Sequence, residues 1–274
     1  VDYKNCSFLL AISGGVDSMV LFNLFKEYSL NFSVAHCNFL LRGKSSDDDE
    51  LFVKEICERF NHEVYLKKFD TKKIASKSSV SIQMAARKLR YNWFSDLLNK
   101  HKFDYLVTAH HFNDSVETIF LNISRGTGIT GLKGIPIKEN KTIRPLLIFT
   151  KNEILEFAKK NRIKFRNDIS NNDVKYRRNR VRKLIIPEFE NLNPGFFESI
   201  KTTLNNFQSA ENIYSDFIRN EKKRCCIYND DILLINIKAL MISIEPKTVL
   251  FEIVNDYGFK DIDSIYNVID SQSG

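Results

Sequence analysis

The first two-thirds of the chain alternate short apolar runs with longer amphipathic stretches, and this alternation limits the fold more than any other feature. Strands that alternate with helices of about ten or more residues indicate a parallel sheet covered by helices on both faces. The sequence therefore predicts an α/β fold. The predicted strands are residues 8–12, 32–37, 63–69 and 105–109, and the predicted helices are residues 19–28, 51–60, 82–98, 115–124 and 151–161.

The pattern changes near residue 190, where we predict a domain boundary. Residues 194–224 read as one long amphipathic helix, and a strand over 232–237 precedes two short helical segments around 249–254 and 262–269. We therefore expect an α/β domain over residues 1–190 and a smaller, mostly helical domain over residues 191–274. Because the chain stops at Gly274 without a clear terminal element, we expect the second domain to be truncated.

Net charge and cysteine content limit the partners and the cellular compartment that the chain can have. A net charge of +7 favours an anionic partner such as nucleic acid, although a lysine-rich proteome produces the same balance. No run of about 18 apolar residues and no signal peptide are recognisable, so we expect no membrane span. The five cysteines form no C-x-x-C pair, which indicates free thiols and a cytoplasmic location.

The turn after the first predicted strand has the composition of a phosphate-binding loop. Two glycines allow a tight turn whose N–H groups face one point, and the helix that follows adds its positive end. Serine hydroxyls can donate to phosphate oxygens, and an aspartate can hold Mg²⁺ against them. The loop reads Ser13-Gly14-Gly15-Val16-Asp17-Ser18.

The turn has other possible interpretations besides phosphate binding. The loop lacks the Gly-Lys-Ser/Thr of the Walker type and the G-x-G-x-x-G of the dinucleotide fingerprint. Two glycines alone would favour a plain strand–helix turn with a capping Asp or Ser. The complete hexapeptide in the first strand–helix unit favours a phosphate loop.

The hexapeptide resembles the signature of the PP-loop ATP pyrophosphatase superfamily. This resemblance implies an adenine nucleotide α-hydrolase-like fold, cleavage of ATP between its α- and β-phosphates, and the use of Mg²⁺. The signature identifies the superfamily well and the individual family poorly.

Four further segments resemble one family in this group, the tRNA(Ile)-lysidine synthetases. Ala35 and His36 begin a stretch similar to H-x-N-H-x-L-R, in which Phe39 stands where the family usually has a second histidine. The resemblance implies that Ala35 and His36 line the adenine pocket, mostly through the backbone. Arg87 and Arg90 lie in a segment similar to A-R-x-x-R-Y, where they share a helix face and could reach an anion. Without the resemblance, a solvated face would be the better interpretation of these arginines.

The third segment follows the fourth strand, where ligands bind in open α/β sheets. His111, Asp114 and Glu117 are three apart, so the pattern alone leaves open a metal cluster or a capping Asp with a surface Glu. The segment resembles A-H-H-x-x-D-x-x-E-T. This implies that the two carboxylates serve Mg²⁺ or an incoming ammonium group, with Asp17 and Asp114 as the magnesium ligands. Arg125, a few residues later, would meet phosphate or developing charge.

The fourth segment is strongly basic. It follows Arg144-Pro145-Leu146-Leu147 and resembles D-x-S-N-x-D-x-x-Y-x-R-N-x-I-R over residues 168–182, which suits binding to an RNA backbone. A solvated helix face would be preferred for the charge run alone. The residues predicted to bind tRNA are Arg177, Arg178, Arg180 and Arg182.

The resemblance implies a two-step reaction on isoleucine tRNA with a CAU anticodon. ATP adenylates the C2 oxygen of the wobble cytidine, and the ε-amine of free lysine then displaces AMP. The implied cofactors are ATP and Mg²⁺, and a homodimer stays open. The residues implied to be catalytic are Asp17, Arg87, Arg90, His111, Asp114, Glu117 and Arg125.

Three other functions are alternatives to the lysidine reaction. A PP-loop tRNA thiolase of the cluster-containing type would need C-x-x-C pairs, which this chain lacks. A small-molecule amidotransferase would need a glutaminase partner that nothing in the sequence supplies. A non-catalytic RNA- or nucleotide-binding relative stays open because Phe39 replaces the family histidine.

Overall fold

The computed structural model describes residues 3–166, 177–229, 232–259 and 261–271. The chain forms two compact units. The first contains residues 1–127 and 134–200, and the second contains residues 128–133 and 201–274.

The first unit is built on a six-stranded, mostly parallel sheet, which confirms the predicted fold class. Its strands are β1 (Ser7–Ala11), β2 (Asn31–Asn38), β3 (Val64–Lys68), β4 (Tyr105–Thr108), β5 (Lys138–Glu139) and β6 (Thr142–Ile143). Their order across the sheet is β3-β2-β1-β4-β6-β5, and only β5 runs antiparallel to its neighbour. The first four strands match the four predicted ones, and the short pair β5–β6 was not predicted.

Helices cover both faces of this sheet because successive strand residues point to opposite sides. Phe8 and Leu10 belong to one core with α1 and α6, whereas Leu9 belongs to a second core with α4. These helices are α1 (Val16–Glu27), α2 (Lys44–Arg59), α3 (Thr71–Lys77), α4 (Ile82–Lys100), α5 (Phe112–Ile123) and α6 (Lys151–Lys160).

Capping side chains fix where several helices begin. Asp70 accepts a hydrogen bond from the Lys73 N–H, Ser81 accepts one from Met84, and Thr150 forms a reciprocal capping box with Glu153. Helix α2 begins earlier than the predicted residue 51, at Lys44, because the acidic residues 47–50 are part of its first turns. Acidic residues are favourable at the positive end of a helix, so this stretch supports the helix.

The end of the first unit lies beyond the predicted boundary near residue 190. Asn-Pro-Gly separates α8 (Ile186–Leu192) from α9 (Phe196–Cys225). The division between the units falls after residue 200, inside α9. The reason is aromatic packing, since Phe196 and Phe197 contact Phe120 and Phe112 of α5.

The second unit has a separate core around the remainder of α9. Ile218, Leu240, Val249 and Leu250 are buried there. The predicted strand near residue 232 is half of an antiparallel hairpin, which makes this unit helical with one small sheet. Its other elements are β7 (Cys226–Asn229), β8 (Ile232–Ile235), α10 (Ile237–Met241), α11 (Pro246–Val254) and α12 (Ile262–Ser271).

The membrane prediction can be compared with the helices of the structure. Over the described residues, none of the helices combines the length and apolar character needed to span a membrane.

Candidate functional site

The predicted phosphate loop and the His111 segment meet at one edge of the sheet. Strands β1 and β4 are parallel neighbours, and these two segments follow their carboxyl ends. The chain continues from β1 to β2 on one side and later returns to β4 on the other, so a crevice opens between them. Open α/β sheets bind ligands at such a reversal of strand order.

The loop is held in shape by Ser18, which is 4% exposed. Its hydroxyl donates to the Gly15 carbonyl oxygen at 2.9 Å and accepts from the N–H groups of Ser13 and Gly14, each at 3.2 Å. Gly14 has a φ of +91°, a conformation that favours glycine. Val16 packs into the core, which leaves its backbone for any ligand. Ser18 therefore shapes the turn, and phosphate binding by the loop stays a prediction.

Asp17 lies between a lysine and a histidine. Its Oδ1 accepts a hydrogen bond from Lys151 Nζ at 2.5 Å, and its Oδ2 is 3.9 Å from His111 Nε2. The same imidazole nitrogen is 3.7 Å from Oδ2 of Asp114. The structure thus places Asp17 and Asp114, the two predicted magnesium ligands, around one histidine.

The carboxylate oxygens of this site suit a cation that binds together with a nucleotide. Mg²⁺ is usually held by one or two carboxylates together with substrate phosphates. Asp17 and Asp114 supply oxygens of this kind. In the part of the chain that the structure describes, no three His, Cys, Asp or Glu side chains group closely enough to hold a metal ion by themselves. A resident magnesium site stays a prediction.

Glu117 is fully buried and paired with two arginines. One oxygen accepts from Arg182 Nε at 2.5 Å, and the other accepts from Arg178 Nε at 2.6 Å. Arg178 also donates to Asp114 Oδ1 at 3.0 Å. Burial raises the pKa of Asp114, but the charges of His111 and Arg178 outweigh it, so this pKa lies below its usual value. Arginines from a later segment therefore pair with both carboxylates of α5, and the lowered pKa of Asp114 favours the ionised form of that carboxyl.

The four arginines predicted to bind tRNA divide into two pairs. Arg178 and Arg182 face α5 and its carboxylates, whereas Arg177 and Arg180 are exposed. They belong to α7 (Arg177–Arg180) and the π-helical turn that follows it, Val181–Ile185. Binding of tRNA by these residues stays a prediction, and residues 168, 170, 171, 173 and 176 of the same motif lie outside the described residues.

Two cavities adjoin the loop and share Ser13 and Asp17. The first, here called the apolar cavity, has a volume of about 210 Å³, and the second, the polar cleft, has about 870 Å³. The apolar cavity is lined by Ala11, Ile12, Ser13, Asp17, Ser18, Ala35, Cys37, Phe39, Arg90, Tyr91, Phe94, Thr108, Ala109 and His110. The polar cleft includes Asp17, His111, Asp114, Glu117, Lys151, Arg166, Arg182 and Lys183.

Phe39, the departure from the family histidine, forms part of the apolar cavity. Its ring stacks on Phe69 with centroids 5.7 Å apart, and the guanidinium of Arg90 lies 5.1 Å from its centroid. A phenylalanine therefore contributes packing and a cation–π contact at this position. Neither contact needs a titratable group at position 39.

Ala35 and His36 occupy opposite sides of β2. Ala35 lines the apolar cavity and the His36 side chain does not, and the adenine pocket expected at the backbone of these residues stays a prediction. His36 is 3% exposed, and its ring nitrogen Nδ1 donates to the Ile12 carbonyl oxygen at 2.9 Å. Burial lowers its pKa, which favours the neutral ring. Its position suits bracing of β2 against the end of β1.

Arg87, Arg90 and Arg125 do not line one common cavity. Arg90 reaches the apolar cavity, whereas Arg87 lines a separate cavity on the same face of α4. Arg125 is exposed in the turn after α5, and its backbone N–H donates to the Asn122 carbonyl oxygen. It lines neither of the two cavities that adjoin the loop. The catalytic role predicted for Arg125 stays untested.

Three residues of the site were missed. Lys151 contacts Asp17, Arg166 contacts Asp49 at 2.5 Å beside the polar cleft, and His110 lines the apolar cavity. Burial lowers the pKa of His110 to about 4. His110 is part of the segment that resembles A-H-H-x-x-D-x-x-E-T, so the sequence could have identified it. No local sequence pattern identifies Lys151 or Arg166 as residues of the site.

Comparison with protein-family models gives two matches. A PP-loop domain model matches residues 1–189, and a model of the TilS substrate binding domain matches residues 228–274.

Curated relatives with the same name cover most of the chain. It is 39% identical over 256 residues to a tRNA(Ile)-lysidine synthase of Porphyromonas gingivalis, covering 92% of this chain and 55% of that protein. A protein of that name from Bacteroides thetaiotaomicron is 35% identical, covering 97% of this chain and 62% of the relative. A protein of that name from Chlorobaculum tepidum is 41% identical, and the match covers 66% of this chain and 56% of that protein. The chain thus spans a little over half the length of these relatives.

A solved structure shares the fold. The U34-tRNA thiolase NcsA from Methanococcus maripaludis, with its [4Fe-4S] cluster, aligns with a TM-score of 0.61 at 21% identity. The alignment covers 76% of this chain and 73% of the thiolase. At this identity the similarity shows the α/β architecture alone.

Proposed function

The chain belongs to the PP-loop family, and from that premise we propose that it is part of an ATP-dependent ligase. This enzyme attaches lysine to the wobble cytidine of isoleucine tRNA. The observation that carries the proposal is the position of the loop between two cavities of different chemistry. The apolar cavity suits a nucleoside, and the polar cleft offers carboxylates and cations for the acceptor and the amine. The named relatives support this choice of substrate.

The first proposed step is adenylation. The C2 oxygen of the cytosine attacks the α-phosphorus of ATP, and pyrophosphate leaves. Lys151 and the loop around Asp17 lie where they can contact the leaving phosphates. When bound with ATP at Asp17 and Asp114, Mg²⁺ would neutralise charge on those phosphates. Fixed positive groups aimed at developing charge are a strong source of rate enhancement.

The second proposed step joins lysine to the activated base. The ε-amine attacks C2, the bond from C2 to the adenylate oxygen breaks, and AMP leaves. We place the lysine ammonium beside Asp114 because only one of its oxygens accepts a hydrogen bond from an arginine, whereas both oxygens of Glu117 do. Asp114 can orient the ammonium and help remove its proton. The cytosine must leave its stack to reach the site, at a cost of roughly a few kcal/mol.

A direct test uses ATP, labelled lysine and unmodified isoleucine tRNA, followed by nucleoside analysis. We expect label in a single modified cytidine, with AMP and pyrophosphate formed in step. The matched control is the same tRNA with adenosine at the wobble position, since adenine has no C2 oxygen to adenylate. Pyrophosphate release that ignores tRNA, or absence of lysine from the nucleoside, would contradict the proposal.

The thiolase alternative predicts a different product. Sulfur transfer would leave a thiolated nucleoside and would not consume lysine. The five cysteines form no C-x-x-C pair, which argues against a cluster of the kind found in the thiolase structure. The same nucleoside analysis separates the two products.

A further inference from the structure

A third cavity lies on α4 beside the apolar cavity, and we call it the basic cavity. Its volume is about 560 Å³. Tyr91 lines both cavities, so the ring is the wall between them. The residues that line the basic cavity are Met84, Arg87, Lys88, Tyr91, Glu139, Asn140, Thr142 and Arg144.

The charge of this cavity is positive and partly uncompensated. Glu139 is its only lining carboxylate, and it accepts a hydrogen bond from the Arg144 guanidinium at 3.0 Å. Arg87 and Lys88 are exposed, and neither pairs with a carboxylate among residues 3–166 and the other described ranges. The side chains of Arg87 and Lys88 are therefore available to bind an anion from solvent.

Arg144 provides a rigid, buried charge behind them. Its side chain is 5% exposed, and it also donates to the Pro136 carbonyl oxygen at 2.8 Å. Its Nε is buried without a hydrogen-bond partner in the described part of the chain. A buried guanidinium with an unused donor strengthens the positive potential on an adjacent anion.

The basic cavity is connected to the reaction site through two residues. The Arg87 guanidinium lies 4.8 Å from the centroid of the Tyr91 ring, and Tyr91 also lines the apolar cavity. Arg87 and Arg144 also act electrostatically on His110, which lines the apolar cavity. An anion held by Arg87 would therefore lie next to the bound nucleotide without occupying its cavity.

We propose that the basic cavity binds a backbone phosphate of the RNA strand near the target nucleotide, with Arg87 and Lys88 as its ligands. This proposal rests on the proposed function, because it takes a nucleic acid as the substrate. Phosphates receive most of the positioning contacts in protein–nucleic acid complexes, chiefly from Arg and Lys. Arg87 is thereby a residue that positions the RNA, which differs from the catalytic role that the motif implied.

The test compares RNA affinity over a series of salt concentrations. The probe is an anticodon stem-loop RNA with the CAU sequence, and the variant is the double substitution Arg87→Ala and Lys88→Ala. Loss of one phosphate contact lowers the salt slope by about 0.7–0.9, and we expect affinity to fall by about tenfold. The Michaelis constant for ATP is measured in parallel, and thermal unfolding checks that each variant folds.

Two controls share the same helix. Lys100→Ala removes an exposed lysine twelve residues beyond Lys88, about 18 Å along the helix, and should leave affinity and slope unchanged. Arg87→Lys keeps the charge and should retain most of the salt slope.

Each outcome decides the proposal. A double variant with wild-type RNA affinity and slope overturns it. A raised Michaelis constant for ATP with unchanged RNA affinity also overturns it, because the cavity would then serve the phosphates of the nucleotide. If the wild-type chain fails to bind the RNA at all, the proposed function fails first and this inference falls with it.

Discussion

Asp17 lies between Lys151 and His111, where the phosphate loop and the segment after β4 meet. The loop motif identified it, and the structure places its carboxylate in the crevice beside His111. Its closest partner, Lys151, is 134 positions away, so no spacing rule connects the two. Residues on one helix, such as Asp114 and Glu117, can be grouped from sequence because helical periodicity brings them together. Pairs that only the tertiary fold brings together, such as Asp17 and Lys151, cannot be grouped from sequence.

We expect Asp17→Ala to abolish pyrophosphate release that depends on lysine and tRNA. The variant loses the carboxylate predicted to hold Mg²⁺ and leaves Lys151 without its partner, so a decrease of at least about 100-fold is expected. The measurement is pyrophosphate production at saturating ATP. Asp96→Ala is the matched control, since Asp96 is exposed on α4 and should leave the rate unchanged. Full activity of Asp17→Ala would remove the loop from the site.

His110 should make the stability of the fold depend on pH. Burial lowers its pKa from 6.5 to about 4, so between these values the unfolded chain binds a proton that the folded chain does not. The free energy of unfolding therefore falls as the pH drops through this window, by about 2 kcal/mol between pH 7.5 and 5.0.

Urea unfolding of the wild-type chain and of His110→Asn at both pH values measures this contribution. The substitution removes the titrating group, so the variant should lose about 2 kcal/mol less on acidification. Equal losses in the two proteins would show that His110 titrates normally in the folded state.

At the scale of elements, strands and long helices were predictable and short connections were not. Strand β1 and helices α4 and α6 follow their predicted ranges because hydrophobic periodicity continues through them. Helix α3 and the pair β5–β6 are too short to carry a period. The turn of residues 181–185 is π-helical, a rare geometry that hydrophobic periodicity does not predict.

Helix α6 presents Lys151 to Asp17, and its first turn is fixed by local hydrogen bonds. Thr150 accepts from the Glu153 N–H, and Glu153 accepts in return from the backbone N–H of Thr150. The Lys151 N–H donates to the Asn113 side chain of α5 at 2.9 Å. The helix start is thereby tied both to its own cap and to the site.

Loss of this cap should destabilise the first unit without changing the chemistry of the site. Thr150→Ala is expected to lower the free energy of unfolding by about 1 kcal/mol, a typical cost for a lost helix cap. Thr150→Ser keeps the hydroxyl and should retain most of the stability. Urea denaturation of the three proteins measures the difference, and identical midpoints would show that Glu153 alone caps the helix.

At the scale of the whole molecule, net charge predicted an anionic partner but not where it binds. The chain carries 41 basic and 34 acidic residues, and the basic segment near residue 180 looked like one RNA-binding surface. In the structure, Arg178 and Arg182 are occupied by Glu117 and Asp114, so half of that surface serves the site itself. A linear count of charges does not distinguish paired arginines from free ones.

Neutralising the two pairs of arginines should therefore have different consequences. Arg177→Ala with Arg180→Ala removes exposed charge, so RNA affinity and its salt slope should both fall while stability is retained. Arg182→Ala instead leaves the buried Glu117 with one partner fewer. We expect it to reduce the free energy of unfolding by about 1–3 kcal/mol.

Salt-dependent RNA binding and urea unfolding, measured on both variants, separate these two roles. Because Arg182 is 38% exposed, part of its effect will be screened by solvent, which places the expected loss toward the lower end of that range. If Arg177→Ala with Arg180→Ala leaves the salt slope unchanged, RNA does not contact this segment. If Arg182→Ala changes RNA binding alone, its pairing with Glu117 contributes nothing to the fold, and all four arginines would form one RNA-binding surface.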